Sequence, residues 1–431
     1  MSITEQARIA REASIKLAVL STRNKNKALV KIAKSIKNNS KSIINENKKD
    51  IEAAKKSNLN KSLINRLKID EIKINDIVEE IKSVARLEDP VGKTLSQMEL
   101  DKGLMLYQVT CPIGVIAAIF ESRPDAVTQI SALCIKSGNA VILKGGSEAL
   151  NSNRILAKII SETGEANGMP KGAVQLIETR EQAGEMLKMH DYIDLVVPRG
   201  SNAFVKYIME NSKIPVLGHS EGICHVYVDK YADLKKAIEI SLDAKCQYPA
   251  VCNAMETLLV NKDIAKRFLP LMAEKFRNAG VELRGDEESL KIVKNIKKAA
   301  GEDWDREYND LILSIKIVDD LSEAIEHINR HGSKHTDAII TENRKNAETF
   351  MNLVDSASVM WNASTRFADG FRYGKGAEIG ISTSKIHARG PVGLEGLVIY
   401  KYKLIGKGHV VGDYAGRNAR KFRHKIIKKR I

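Results

Sequence analysis

The sequence predicts an α/β protein of two parallel, doubly wound domains with a small β element attached, and three features of its 431 residues carry that expectation. A strand-then-helix order runs over 114–197, the same order restarts near residue 224, and two β segments, one early and one late, have no helix to cover them. Strands that alternate with helices need crossover connections, and those build parallel sheets covered on both faces.

In chain order, residues 2–87 place apolar side chains at three- and four-residue spacings with few glycines, a helical pattern that Asp89-Pro-Val-Gly ends. Residues 93–110 alternate as a hairpin turning at Asp101-Lys-Gly. Strands follow at 114–120, 140–144, 174–177 and 193–197, separated by helices at 124–137, 147–164 and 180–188. The second series has strands at 225–228, 256–260, 311–318, 337–340 and 358–361, with helices such as 234–245 and 321–330 between them. The last strand, 396–402, and the hairpin both leave exposed edges, so they should pair with each other or across a subunit boundary.

Apolar residues at 43% and charged residues at 29% describe an ordinary globular chain. The first apolar run, 15–20, is broken by Lys16 and no segment approaches a membrane span, so a cytoplasmic protein without membrane contact is expected. The cysteines at 111, 134, 224, 246 and 252 form an odd set without a CxxC pair, which argues against a disulfide framework and a zinc ribbon. The formal net charge of +15 raises a nucleic-acid reading, but residues 417–431 supply eight of those charges and no acid. Lysines ahead of the hairpin interleave with acids as on solvated helix faces, and the few aromatic residues form no base-stacking platform beside them. A basic surface with a solvated tail, and no nucleic-acid partner, is the expectation.

Cys252 is the candidate nucleophile. A polar turn containing Pro249 delivers this thiol to the start of the apolar run 254–260. A free cysteine is most often a small core hydrophobe. At a loop-to-strand junction, however, it is both positioned and reachable, and thiolates form acyl adducts that accept hydride. No GxGxxG follows an early strand. Instead, Leu143-Lys-Gly-Gly-Ser147 joins a strand end to a helix start, where Gly145, Gly146 and Ser147 let amides approach an anion and Lys144 reaches a ribose hydroxyl or the extra phosphate of NADP. In Val197-Pro-Arg-Gly-Ser-Asn202, Arg199 and the amides of Gly200 and Ser201 are suited to phosphate oxygens in the same way. His327, His331 and His335 stand four apart, but Gly332 should end the helix before His335 and no carboxylate or thiol completes the set, so a satisfied surface cluster and no metal are expected. The loops 360–369 and 379–391 gather Arg366, Ser382, Thr383, Ser384, His387 and Arg389, groups that suit a small carboxylate or phosphate.

Taken together, Phe120-Glu-Ser-Arg-Pro-Asp125, Leu143-Lys-Gly-Gly-Ser147, Val197-Pro-Arg-Gly-Ser201, Val251-Cys-Asn-Ala-Met-Glu-Thr257, Trp361-Asn-Ala-Ser-Thr-Arg-Phe367 and His387-Ala-Arg-Gly-Pro-Val-Gly-Leu-Glu395 closely resemble the gamma-glutamyl phosphate reductase family. These are the glutamate-5-semialdehyde dehydrogenases of the aldehyde dehydrogenase superfamily. The motifs span nearly the whole chain, and the basic tail after Gly416 lies outside them.

The resemblance implies an aldehyde dehydrogenase-like fold. A Rossmann-like NADP-binding domain would occupy 1–92 and 111–223, a catalytic domain 224–390, an oligomerisation element 93–110 and 391–412, and a basic tail 413–431. It also implies NADPH-dependent reduction of L-glutamyl 5-phosphate to L-glutamate 5-semialdehyde and phosphate through a cysteine thioester, the second step of proline biosynthesis from glutamate. Glutamate 5-kinase would supply the substrate, and the enzyme would be a homo-oligomer. The oxyanion would be held by the amide of Cys252 and a donor from the loop of Ser122 and Arg123. Glu307 matches the acid that contacts the nicotinamide ribose. The position of the water-activating Glu is taken by His219, which suits a reductase that releases phosphate and has no hydrolytic step. Arg123, Asn253, Arg366, Ser382, Thr383 and Arg389 are the candidates for binding substrate. The rival on the same scaffold, an aldehyde or acyl-CoA reductase, is disfavoured by the missing base.

Overall fold

The computed structural model describes residues 1–59 and 61–427. Five helices, Ile3–Leu17, Thr22–Asn38, Ser40–Lys56, Lys61–Leu67 and Glu71–Arg86, open the chain. Polar caps satisfy the first amides of three of them: Ser2 accepts from Glu5, Ser21 from Asn24 and Asp70 from Lys73. Their apolar stripes, with Leu29, Ile32, Ile36, Ile77 and Ile81 among them, bury against the helices Asp125–Ser137 and Leu150–Glu165. Asp50 reaches out of this layer and accepts from the amides of Asn151 and Ser152 at 3.1 and 2.8 Å. The N-terminal helices therefore pin the start of the helix that follows Gly145 and Gly146.

The predicted hairpin is β1 (Thr94–Asp101) and β2 (Leu104–Pro112). Next come β3 (Val115–Phe120), β4 (Ala140–Lys144), β5 (Val174–Ile177) and β6 (Leu195–Arg199), a parallel sheet in the order β5-β4-β3-β6. The second sheet holds β7 (Cys224–Val228), β8 (Met255–Asn261), β9 (Glu282–Gly285), β10 (Lys297–Lys298), β11 (Ile312–Val318), β12 (Thr336–Ile340) and β13 (Ser358–Trp361). Their order is β10-β9-β11-β8-β7-β12-β13, and every neighbouring pair is parallel. Central strands of both sheets are buried on both faces, as the continuous apolar runs require.

A short antiparallel pair, β14 (Gly380–Ser382) and β15 (Gly390–Val392), folds the glycine-rich loop back on itself. β16 (Val398–Ile405) then runs antiparallel to β2, from Val398 opposite Pro112 to Ile405 opposite Met105. The early hairpin and the late strand pair with each other within one chain. On the far edge of the hairpin, β17 (Lys425–Ile426) pairs with β1.

The tail is exposed as expected, but this last pairing shows that it is not a detached appendage. The amide of Arg423 donates to the Leu100 carbonyl at 2.7 Å, its guanidinium lies 3.2 Å from Asp101, and the amide of Ile427 donates to Gln97 at 3.1 Å. The unpaired backbone of the β1 edge outweighs the tail's lack of an apolar pattern. Lys428, Lys429, Arg430 and Ile431, which belong to the same basic run, lie outside the described residues. Among the described residues no helix is long and apolar enough to cross a membrane.

Candidate active site

Cys252 stands at the N-terminal edge of the seven-stranded sheet, just ahead of β8. The parallel register levels its neighbours: Cys224 at the start of β7 pairs with Met255, and β12 begins beside β7 with His335 immediately before it. Cys224 donates its thiol to the Cys252 carbonyl at 3.2 Å. Gly222 packs so closely on the same residue that a Cβ there would lie 2.1 Å from that oxygen. On the other side, Asn253 Nδ2 donates to the Ala368 carbonyl at 2.9 Å. Backbone packing and an amide anchor thus fix the thiol while leaving it partly exposed.

Near it is the C-terminal end of β6. Arg199 ends β6, donates to Gln129 Oε1 at 3.0 Å, and sits in the electrostatic field of Arg123, Glu378, Asp125 and Cys252. Burial, and then the like charge of Arg123, makes its cationic form costlier than in water, with Glu378 opposing. Arg366 comes in on the turn Thr365–Phe367, almost fully buried, with Nε donating to Gln247 at 3.0 Å and its charge felt by Cys252. Ser122 has the left-handed backbone of φ +46° and spends both its amide and its hydroxyl on Glu148 Oε1, at 2.5 and 2.8 Å. It is therefore not the free oxyanion donor that the sequence suggested. The amide of Cys252 lies against its own sulfur.

At the two strand-to-helix junctions an added Cβ would first meet the movable ends of side chains. A Cβ on Gly145 would meet Asn153 Nδ2 at 2.1 Å, one on Gly146 would meet Glu148 Oε1 at 2.0 Å, and one on Gly200 would meet Glu121 Oε2 at 2.4 Å. The Ser201 amide, at the start of the helix Asn202–Asn211, donates to that same Glu121 oxygen at 2.9 Å. At both junctions a carboxylate oxygen lies against a glycine. Lys144 closes the first one, with Nζ donating to the Gly145 carbonyl at 2.8 Å and burial lowering its pKa. Ser147 opens the turn Ser147–Ala149 that leads into the next helix. Glu307 accepts from Asn202 Nδ2, which ties the second domain to the helix after Arg199.

The aldehyde dehydrogenase family model matches residues 2–302. The chain belongs to the aldehyde dehydrogenase family. It is 57% identical to the gamma-glutamyl phosphate reductase of Acetivibrio thermocellus over 431 residues, covering 100% of both chains. A crystal structure of gamma-glutamyl phosphate reductase from Thermotoga maritima matches with a TM-score of 0.93 and 42% identity, over 95% of this chain and 100% of that one. An engineered glycolyl-CoA reductase with bound NADP+ shares the fold at a TM-score of 0.64 and 14% identity, over 93% of this chain and 96% of that one. The resemblance carried by the motifs is borne out, and the chain is an oxidoreductase of this family with its α/β fold.

Within this site some predicted residues converge on the thiol and others do not. Glu307, Arg199 and Arg366 all act electrostatically at Cys252. Arg389 instead gives its two terminal nitrogens to Asp355, at 3.0 and 2.9 Å. Ser382 is buried with its hydroxyl 2.7 Å from that of Ser384, and the Thr383 amide donates to Gly218 at 3.4 Å. Glu378, which sequence reading passed over, is raised in pKa by burial and accepts from the Gly370 amide at 2.8 Å.

The histidine trio also needs correction. The helix Leu321–His331 ends at Gly332 as expected, but the result is not a surface cluster. His327 is buried, 4.5 Å from the ring of His331, whereas His335 turns away into the entry of β12. There it lies 4.9 Å, ring to ring, from His219, and the thiol of Cys252 joins them. A carbonyl only accepts, so the 3.0 Å contact of His219 Nδ1 with Ile381 places the proton on Nδ1. Burial keeps both imidazoles neutral. Burial first, then Glu307 and Glu378, pushes the Cys252 thiol up to about 12, with its own amide and Arg199 opposing.

Proposed function

We propose that this chain reduces L-glutamyl 5-phosphate to L-glutamate 5-semialdehyde and phosphate through a thioester on Cys252, with NADPH as reductant, the second step of proline biosynthesis from glutamate. The observation that carries this reading is the placement of one fixed, partly exposed thiol beside Arg199, which ends β6. The 57% identity to gamma-glutamyl phosphate reductases over the full length supports the choice of substrate.

Cys252 Sγ attacks the acyl carbon, forming the S–C bond as the C–O bond to phosphate breaks, and the thiol proton leaves with the phosphate. Arg123 holds the phosphate, and Arg199, expected from the sequence at the nucleotide phosphates, is assigned to it as well because it lies in the field of Cys252. Arg366, fixed by Gln247, takes the carboxylate end. The Cys252 amide supports the transient oxyanion, an interaction worth roughly 3 kcal/mol in enzymes of this kind. A nicotinamide nucleotide supplies the hydride that reduces the thioester carbon. Gly145, Gly146, Ser147, Gly200 and Ser201 would cradle its phosphates, Lys144 its adenosine ribose or 2′-phosphate, and Glu307 its nicotinamide ribose. The bond from carbon to Cys252 sulfur then breaks with its electron pair going to sulfur, releasing the aldehyde and a thiolate that regains its proton from solvent.

The domain limits are read accordingly: a cofactor domain at 1–92 and 111–223, a catalytic domain at 224–390, and a β element from the hairpin and β16 that joins copies into a homo-oligomer. Exposed Ile399, Tyr400, Tyr402 and Leu404 on β16 support the last assignment. We place the enzyme in the cytoplasm, fed by glutamate 5-kinase. The test is the reverse reaction. Reduction of NADP by glutamate semialdehyde should require inorganic phosphate, and NADP reduction that is independent of phosphate would defeat the assignment.

A further inference from the structure

The three groups gathered at Cys252 have a property that a reductase does not call for. One sulfur and two imidazole nitrogens, from His219, Cys252 and His335, all lie within 4.8 Å of one another. His219 has Nδ1 committed to the Ile381 carbonyl at 3.0 Å, which leaves the lone pair on Nε2. His335 is 1% exposed, with Nδ1 2.8 Å from Thr336 Oγ1, and its Nε2 is buried with no hydrogen-bond partner. An imidazole whose outer nitrogen is held by an oxygen and whose inner nitrogen is left bare is the arrangement seen around metal-ligating histidines. An unpartnered buried nitrogen is also costly unless something occupies it.

We propose that His219, Cys252 and His335 form a binding site for a zinc-like divalent cation, which blocks the reductase reversibly by taking up the Cys252 sulfur. Two imidazoles and a thiolate are a borderline-soft donor set that suits Zn2+ and Co2+ and excludes Mg2+ and Ca2+. Tetrahedral zinc with these ligands places its donor atoms about 3.3–3.6 Å apart, so the group must close by about 1 Å, within the reach of side-chain rotation. Cys224 does not complete the set, because its thiol is spent on the Cys252 carbonyl. The fourth position stays open to the cleft. Binding exchanges the thiol proton for the cation, one proton is released to solvent, and nothing is oxidised or reduced. The binding site stands on geometry alone, while its blocking effect rests on Cys252 being the nucleophile.

The test uses the full-length, reduced protein titrated with Co2+ and, separately, with Zn2+ in competition with a chromophoric chelator. A sulfur-to-cobalt charge-transfer band should appear at one equivalent and be absent from Cys252→Ser. His219→Gln and His335→Gln should each weaken Zn2+ binding by at least about tenfold. Zn2+ should inhibit the reductase, EDTA should reverse the inhibition, and half-inhibition should track the dissociation constant across variants. A cobalt band that survives in Cys252→Ser, or Zn2+ affinity unchanged in His219→Gln, would overturn the site. His219 is only partly buried, so its variant keeps the test valid if the buried His335 variant folds poorly. If the band shows the expected ligand dependence but Cys252→Ser still turns over, the cation site holds and the nucleophile assignment falls.

Discussion

Gly222→Ala should cripple turnover without touching a reacting group. An ideal Cβ on Gly222 would lie 2.1 Å from the Cys252 carbonyl oxygen, 2.5 Å from its Cα and 2.6 Å from its carbonyl carbon. All three are backbone atoms, so no side chain can swing aside, and the contact falls about 0.9 Å short of the 3.0 Å below which real Cβ contacts essentially do not occur. Cys252 has little freedom to retreat, because its carbonyl holds Cys224, its neighbour Asn253 is anchored to Ala368, and β8 begins just beyond. A displacement of about 1 Å at a reacting atom costs on the order of a hundredfold in rate. Overpacking of this kind also costs about 1–3 kcal/mol of stability. Steady-state kinetics of phosphate-dependent NADP reduction should show kcat lowered by about a hundredfold with the KM for NADP little changed. Gly184→Ala is the control, since nothing lies within 4 Å of its added carbon. A folded Gly222→Ala enzyme with kcat close to that of the parent would refute the argument.

Cys252→Ser should abolish turnover while leaving nucleotide binding intact, and Cys246→Ser, at the end of the helix Leu234–Cys246, should be tolerated; substantial activity in the first variant removes Cys252 from the chemistry. Lys144→Ala should raise the KM for NADPH more than that for the acyl phosphate, and equal weakening of both would move Lys144 out of the nucleotide site. Burial, reinforced by His225 and His331, pushes His327 down to about 2, so the folded chain leaves it neutral between the ordinary pKa of 6.5 and that value while the unfolded chain protonates it. Stability should fall on acidification through that window by up to about 1.4 kcal/mol per pH unit from this group. Urea unfolding at a series of pH values should show a shallower decline for His327→Leu, and parallel curves for the two proteins would rule the effect out.

The parallel sheets were legible because their strands are apolar runs bounded by turn residues. β4, β5 and β13 fall where the local pattern puts them, and pairing of the hairpin with β16 followed from two exposed edges. β9 and β10 were missed because four and two residues, partly exposed and charged, leave no periodicity to read. The helix Lys262–Asn278 carries Pro270 in its interior, which disguises an otherwise regular apolar face. At the site, sequence found the groups with unusual local settings, such as Cys252 and the glycine junctions. His335 was grouped with the wrong partners, because its neighbourhood comes from strand order: only the adjacency of β12, β7 and β8 sets it beside a thiol far away in the chain. Ser122 was misjudged for a similar reason, since its donors are claimed by Glu148, a partner that no local pattern announces.

The electrostatics of the cleft bear on why an acyl phosphate would be the substrate. Raising a thiol's pKa costs tenfold in thiolate for each unit but returns about threefold in nucleophilicity, so a thiol held near 12 loses a factor of some tens against an ordinary one. Such a thiol needs an electrophile that brings its own activation, and an acyl phosphate, with a leaving group that departs unaided, is of that kind. Arg123 and Arg199 point the same way. Two guanidinium groups held in one another's field repel, and an anion placed between them removes that repulsion and is bound by it. On this reading the residue at 219 matters as much as the arginines. A carboxylate there would add a negative charge beside a thiol already burdened by Glu307 and Glu378, and would oppose an anion held by Arg199. A neutral imidazole with its Nδ1 tied to Ile381 does neither.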